Sequence, residues 1–194
     1  MAIRLRRDRP ALRVPEGLGI RPTPSKVRAA VTNIWQWQIP GASWLDLCTG
    51  AGAMGAEALL RGVGRVVGIE VSAAACRLIH QHWGAIASPD QQFAALRLEV
   101  RQGIRWLHQR QEVFDLVYFD PPYDSDLYEP VLALLPLVLA PTAQVAVEHN
   151  KQRTLPEVIG GLRLGDRRIY GQTAVSFFEL SDEPEFEQLP GQQD

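Results

Sequence analysis

Buried strands and helices alternate five times along this chain, and that alternation limits its fold more than any other feature. SWLDL (43–47) reads as a short buried strand that turns through glycines into a small-residue helix, AMGAEALLRG, stopped by Gly62 and Gly64. RVVGIE (65–70) is the next strand, and Ser72 stands where it would cap the helix AAACRLIHQHWGAI. ALRLEV (95–100) alternates as a strand before a short helix, GIRWLHQR, and FDLVYF (114–119) is a strand ending at Asp120. YEPVLALLPLVLA reads as mostly helical despite Pro130 and Pro136, and AQVAVEH (143–149) is a further strand. Elements in this order pack as a mostly parallel sheet with helices on both faces. The segment LRLGDRRIYGQTAVSFFEL holds two strands joined near Gly171 with no long helix before them, so it closes the sheet as an antiparallel hairpin. The expected fold is α/β and Rossmann-like, with seven strands. Ahead of it, KVRAAVTNIWQWQ (26–38) is expected as a helix with Val27, Ala30, Val31 and Ile34 on one face, started by Pro24 and Ser25. Of Trp35 and Trp37, one belongs to the core and the other to the surface.

A chain of 194 residues suffices for one domain with a sizeable core. It has no apolar run of about 18 residues, the length that spans a membrane, and its N-terminal MAIRLRRDRP lacks the apolar stretch of a secretory signal. Cys48 and Cys76 form no C-x-x-C pair and the four histidines lack ligand spacing with them, so no metal site is expected and a cytoplasmic location is. Charge is distributed unevenly. Residues 1–28 hold eight Arg or Lys against two acidic residues, and SDEPEFEQLPGQQD holds five acidic residues and no base. The expected organisation is a basic arm over 1–20, a main domain over 21–180 and a loose acidic tail over 181–194. A solvated terminus has such composition too, but the preference for Arg at Arg4, Arg6 and Arg7 favours bidentate phosphate contact.

Gly50, Gly52 and Gly55 in LDLCTGAGAMG spell G-x-G-x-x-G at a strand-to-helix turn, where backbone can approach a ligand closely. Glu70 ends the next strand twenty residues after Gly50, placed to accept hydrogen bonds from ribose hydroxyls. Both features suit a dinucleotide and S-adenosylmethionine alike. Asp46, just before the loop, separates them. An unpaired carboxylate there repels a phosphate charge by on the order of 4 kcal/mol at 4 Å and an effective dielectric of 20. S-adenosylmethionine carries a sulfonium and an ammonium instead. The plainer role for Asp46 is a bond to loop amides. DPPY (120–123) follows a buried strand and so falls at the carboxyl edge of the sheet, where α/β ligands bind. Two prolines stiffen the turn. Asp120 and the Pro121 carbonyl can accept both hydrogens of an exocyclic amino group, and Tyr123 offers a ring for stacking a base.

With these motifs the chain resembles the RsmD-type small-subunit ribosomal RNA guanine-N2 methyltransferases, within the class I S-adenosylmethionine-dependent group. The markers are GIRPTPSKVR with Asn33 and Ile34, LDLCTGAGAMGAEALLRG, GIE, FDLVYFDPPY, VAVEH and IYGQTAVSFFEL, over roughly residues 12–180. The resemblance implies the class I methyltransferase fold and S-adenosylmethionine as cofactor, held by Asp46, Gly50, Gly52 and Glu70, and Cys48 lies within the same cofactor-binding loop. It implies Asp120, Pro121, Pro122 and Tyr123 as the catalytic turn at the target base, and Arg21, Thr23 and Arg28 near the RNA together with the basic arm. The acidic residue that the family uses for the adenine amino group has Gln102 as its counterpart here. The implied partner is small-subunit (16S) ribosomal RNA or its particle, with the protein a monomer. A DNA or RNA adenine-N6 methyltransferase shares the DPPY chemistry, a nicotinamide enzyme shares the glycine spacing, and a non-catalytic RNA-binding relative shares the fold.

Overall fold

In the computed structural model, residues 2–3, 12–13 and 23–181 are described. Apolar alternation along each strand sorts the side chains to the two faces of one sheet. The elements run β1 (Ala2–Ile3), β2 (Leu12–Arg13), α1 (Ser25–Ile34), β3 (Ser43–Leu47), α2 (Ala53–Leu60), β4 (Arg65–Glu70), α3 (Ala73–Gly84) and β5 (Gln92–Arg97). They continue as α4 (Val100–His108), β6 (Phe114–Phe119), α5 (Tyr128–Leu132), β7 (Leu139–Asn150), β8 (Val158–Ile159), β9 (Leu162–Tyr170) and β10 (Thr173–Leu180). β1 and β2 pair antiparallel with each other, apart from the main sheet.

The main sheet has the order β5-β4-β3-β6-β7-β10-β9-β8. β5, β4, β3, β6 and β7 are parallel, and β10 enters antiparallel between β7 and β9. The chain moves outward from β3 to β5, then crosses back to β6 on the other side of β3. That reversal opens a crevice at the carboxyl ends of β3 and β6. Trp44, Val66, Leu116 and Tyr118 pack beneath α1, α2 and α3, while Leu45, Leu47, Val67, Ile69, Val117 and Phe119 pack beneath α4 and α5. Phe114 and Leu116 share parity yet face opposite sides, because the β6–β7 register shifts between them. No helix among the described residues is long and apolar enough to cross a membrane.

The mostly parallel sheet, the closing antiparallel hairpin and the helices on both faces match the expectation from sequence. The eighth strand, beyond the expected seven, is the two-residue β8, which pairs at the edge of β9. Four boundaries also move. α1 stops at Ile34 because Trp35 leaves the helix to pack edge-on against Trp44, with ring centroids 5.2 Å apart. Trp35 is fully buried and Trp37 is 86% exposed, the core and surface pair expected. β5 ends at Arg97 because Glu99 caps α4, accepting from the amides of Arg101 and Gln102. The 128–140 segment breaks into α5 and a 3-10 turn over Leu135–Val138, since Pro136 has no amide to continue a helical ladder. β7 already begins at Leu139.

Candidate functional site

A cavity of about 550 Å³ opens at the crevice, within the roughly 300–1,000 Å³ range of small-molecule sites. Its walls are the ends of four parallel strands: Cys48 to Ala51 after β3, Glu70 and Val71 at β4, Leu98 to Val100 after β5, and Asp120 to Asp124 after β6. Ile3 and Thr23 close the side toward the N-terminus. Four carboxylates line the space, Glu70, Glu99, Asp120 and Asp124, with no Lys or Arg among the described lining residues.

The loop after β3 is built on unusual backbone. Cys48 and Gly50 have φ of 58° and 57°, and Gly52, at the start of α2, has 78°. Only glycine adopts this region freely, so the Cys48 conformation is strained. The Gly50 amide donates to Glu70 Oε2 at 2.9 Å, and Glu70 Oε1 accepts from the Ser72 amide at 2.8 Å. Glu70 therefore straps the β3 loop to the β4 loop from inside the cavity. Burial pushes the Cys48 thiol well up, and Glu70, Asp120, Asp46 and Glu99 push the same way. A protonated thiol is a poor nucleophile. Alkylation of native protein near pH 8.5, mapped by mass spectrometry, is expected to modify Cys48 far more slowly than in the urea-unfolded chain; equal rates would contradict a thiol held protonated by burial and the surrounding carboxylates.

Asp46 and Gly52 lie beneath this wall rather than in it. Asp46 is 2% exposed, and its Oδ2 accepts the Gly55 amide at 2.9 Å, which fixes the first turn of α2. Burial holds its carboxyl well above the usual carboxylate range, with the Gly55 amide opposing and Glu70 adding. The described contact is thus the plainer, structural one. The Gly52 carbonyl accepts the Trp83 indole N–H at 2.8 Å. Gln102 is also outside the wall: it is exposed on α4, while Glu99, three residues earlier, lines the cavity. Burial works to raise the Glu99 carboxyl, but the Arg101 amide and side chain and the Gln102 amide hold it below the ordinary value.

At the end of β6, the Asp120 amide donates to Leu47 O at 3.3 Å, and Asp120 Oδ2 accepts from Thr23 Oγ1 at 3.3 Å. Arg28 braces this contact, with Nη1 donating to Thr23 O at 2.6 Å. Arg28, expected near the RNA, is only 5% exposed and acts in this contact as a buried brace. Burial lowers its pKa, with Glu57 and Tyr118 partly compensating. The Tyr123 hydroxyl donates to Glu148 Oε1 at 3.0 Å and is 2.8 Å from Thr173 Oγ1, which then donates to it. Glu148 is fully buried, also accepts the Tyr118 hydroxyl, and offers its carbonyl to Tyr128. Arg153 Nη2 donates to the carbonyls of Tyr123 at 2.9 Å and Ser125 at 3.3 Å, with its guanidinium 4.2 Å from the Tyr128 ring centroid. Arg4, Arg6, Arg7 and Arg21 lie outside the described residues.

Sequence reasoning brought Cys48, Gly50, Glu70, Thr23 and Asp120 to Tyr123 together correctly as neighbours of one cavity. It missed Glu99 and Arg153. Glu99 had a local signal, an acidic N-cap two residues before paired amides; the contacts of Arg153 reach across about thirty residues and had none.

The family described as Conserved hypothetical protein 95 matches residues 6–179. Among curated relatives, Ribosomal RNA small subunit methyltransferase D of Escherichia coli K12 is 28% identical over 170 residues, covering 87% of this chain and 83% of that one. A hypothetical protein of Thermus thermophilus, whose structure is solved, superposes with a TM-score of 0.73 at 26% identity, covering 88% of this chain and 93% of that one. The ribosomal protein L11 methylase of Lactobacillus delbrueckii subsp. bulgaricus shares the fold alone, with a TM-score of 0.64 at 12% identity over 81% of this chain and 80% of that one. The fold is the Rossmann-like one of class I methyltransferases.

Proposed function

This chain belongs to the Conserved hypothetical protein 95 family, and we propose that it is an S-adenosylmethionine-dependent methyltransferase acting on the exocyclic N2 amino group of a guanine in small-subunit (16S) ribosomal RNA. The charge of the cavity carries the cofactor assignment. Glu70, Glu99, Asp120 and Asp124 line it without a base among the described lining residues, so a pyrophosphate meets repulsion on the order of 4 kcal/mol per unit pair at 4 Å and an effective dielectric of 20. A sulfonium and an ammonium meet attraction. The wall residues, rather than Asp46, therefore select against phosphate, while Asp46 shapes the loop from below. The substrate assignment rests on the DPPY turn and on likeness to the Escherichia coli methyltransferase.

Glu70 is placed to accept from ribose hydroxyls, and Glu99 takes the adenine-amine position expected of Gln102. The cofactor, when bound, supplies an electrophilic methyl group on its sulfonium. Asp120 and the Pro121 carbonyl accept the two hydrogens of the guanine amine, which draws its lone pair out of conjugation with the ring. Tyr123, tethered through its hydroxyl to Glu148 and Thr173, presents its ring to the base. Pro122 stiffens the turn that holds these groups. Rate enhancement then comes from positioning and preorganised acceptors. The proposed setting is the cytoplasm, with the protein acting as a monomer.

Calorimetric titration tests the cofactor half. S-adenosylhomocysteine is expected to bind wild-type protein and to bind Glu70→Ala more weakly, with NAD giving no heat; NAD binding in place of S-adenosylhomocysteine would overturn the assignment.

A further inference from the structure

The carboxyl edge of the sheet changes sign along its length. From β5 to β6 it carries Glu99, Glu70, Asp120 and Asp124. Lys151 and Arg153 follow directly on β7, on the far side of β6. β9 lies two antiparallel steps from β7 and so runs in the same direction, which brings Arg167 and Arg168 toward the same edge. The register joins the two groups, with Asn150 opposite Thr173 and Thr173 opposite Tyr170.

Not all of these cations are available. Arg168 pairs with Asp166 at 2.7 Å, and farther along β9 Arg163 pairs with Glu179 at 2.9 Å. Lys151, Arg153 and Arg167 form no ion pair with a carboxylate among the described residues. Arg167 Nη2 donates to Lys151 O at 2.5 Å, and Arg153 donates to the carbonyls of Tyr123 and Ser125. Burial holds the nearby His149 imidazole below its ordinary value against its bond to Asn150 O, and Arg167 and Arg153 push it the same way. Arg153 also touches the DPPY turn itself, so the basic surface is continuous with the site.

We propose that Lys151, Arg153 and Arg167 bind the phosphates of the nucleotides flanking the target base. The acidic half of the edge repels the same backbone, so the substrate strand lies over β7, β10 and β9 and presents its base toward β6. This rests on the RNA-methyltransferase reading and adds to it the path of the strand. A polyanion fits better than an acidic peptide because guanidiniums without a carboxylate partner bind phosphate bidentately and stand beside a base-accepting turn.

The test is affinity for a small-subunit ribosomal RNA transcript across a salt series, beside methyl transfer to the same RNA. The double variant Lys151→Gln/Arg167→Gln is expected to bind more weakly, with the log–log salt slope flattened by about 0.7 to 0.9 for each phosphate no longer neutralised, while S-adenosylhomocysteine binding is unchanged. The charge-conserving Lys151→Arg/Arg167→Lys is expected to keep the slope, which separates charge from local structure. Arg163→Gln, whose guanidinium is already paired, is expected to leave it alone. An unchanged slope in the neutral double variant, with wild-type methyl transfer intact, would overturn the surface and spare the enzyme reading. A wild-type protein that neither binds nor methylates the transcript or small-subunit particles lacking the modification would overturn both.

Discussion

Asp120→Ala is expected to cut methyl transfer by about a hundredfold or more, the scale for removing one preorganised polar contact, while cofactor binding survives. The expectation is sharp because the rest of the turn is held independently. Tyr123 is anchored by Glu148 and Thr173, and Arg153 clamps the carbonyls of Tyr123 and Ser125. Truncating the Asp120 side chain removes an acceptor without releasing the loop that carries it. The inward contacts given up with it include the bond from Thr23 Oγ1, at 3.3 Å. Asp120→Asn keeps one carbonyl acceptor but places an amide donor against the amine hydrogens, and should also be strongly impaired. Single-turnover kinetics at saturating cofactor, with calorimetry on the same variants, check both. Near-wild-type turnover in Asp120→Ala would remove the acceptor role.

Gly55→Ala is expected to destabilise the fold by about 1–3 kcal/mol or more, through overpacking of a closed site. A Cβ at residue 55 would stand 2.2 Å from Trp83 Cζ2 and 2.9 Å from Val66 Cγ1. The indole cannot move aside cheaply. Trp83 is fully buried, its N–H is committed to the Gly52 carbonyl, and Gly68 lies so close beneath it that a Cβ there would be 2.7 Å from Cη2. The third glycine of the motif thus makes room for a tryptophan from α3, and only through it for the ligand loop. For a domain of this size each kcal/mol lowers Tm by about 2–4 °C, and S-adenosylhomocysteine affinity should fall as the loop shifts. Trp83→Leu should suppress part of the cost, so that the double variant is less destabilised than the two singles added. Additive costs would show that the clash is relieved elsewhere.

What could be read in advance, and what could not, follows the range of the interactions. β3, β4, β6 and the glycine turn were legible because their patterns are local. The Ser72 cap was legible too, and its hydroxyl accepts the Ala75 amide at 3.2 Å. The position of Asp46 was legible in principle. It sits between Leu45 and Leu47, which face α4 and α5, so parity turns its carboxylate to the α2 side and away from the cavity. Its weight in the sequence reading came from its place in the motif rather than from its face of the strand. Glu99 was obscured because the alternating LRLEV runs on into a helix turn, which carried the expected strand past the residue that caps α4 at the cavity. The brace from Arg28 through Thr23 to Asp120 and the clamp by Arg153 join segments far apart in the chain, and no local spacing announces them.

Transfer of tritiated methyl from S-adenosylmethionine to small-subunit particles lacking the modification, followed by identification of the labelled nucleoside, tests the proposed reaction itself. N2-methylguanosine is the expected product. N6-methyladenosine, or no labelled nucleoside at all, would contradict it.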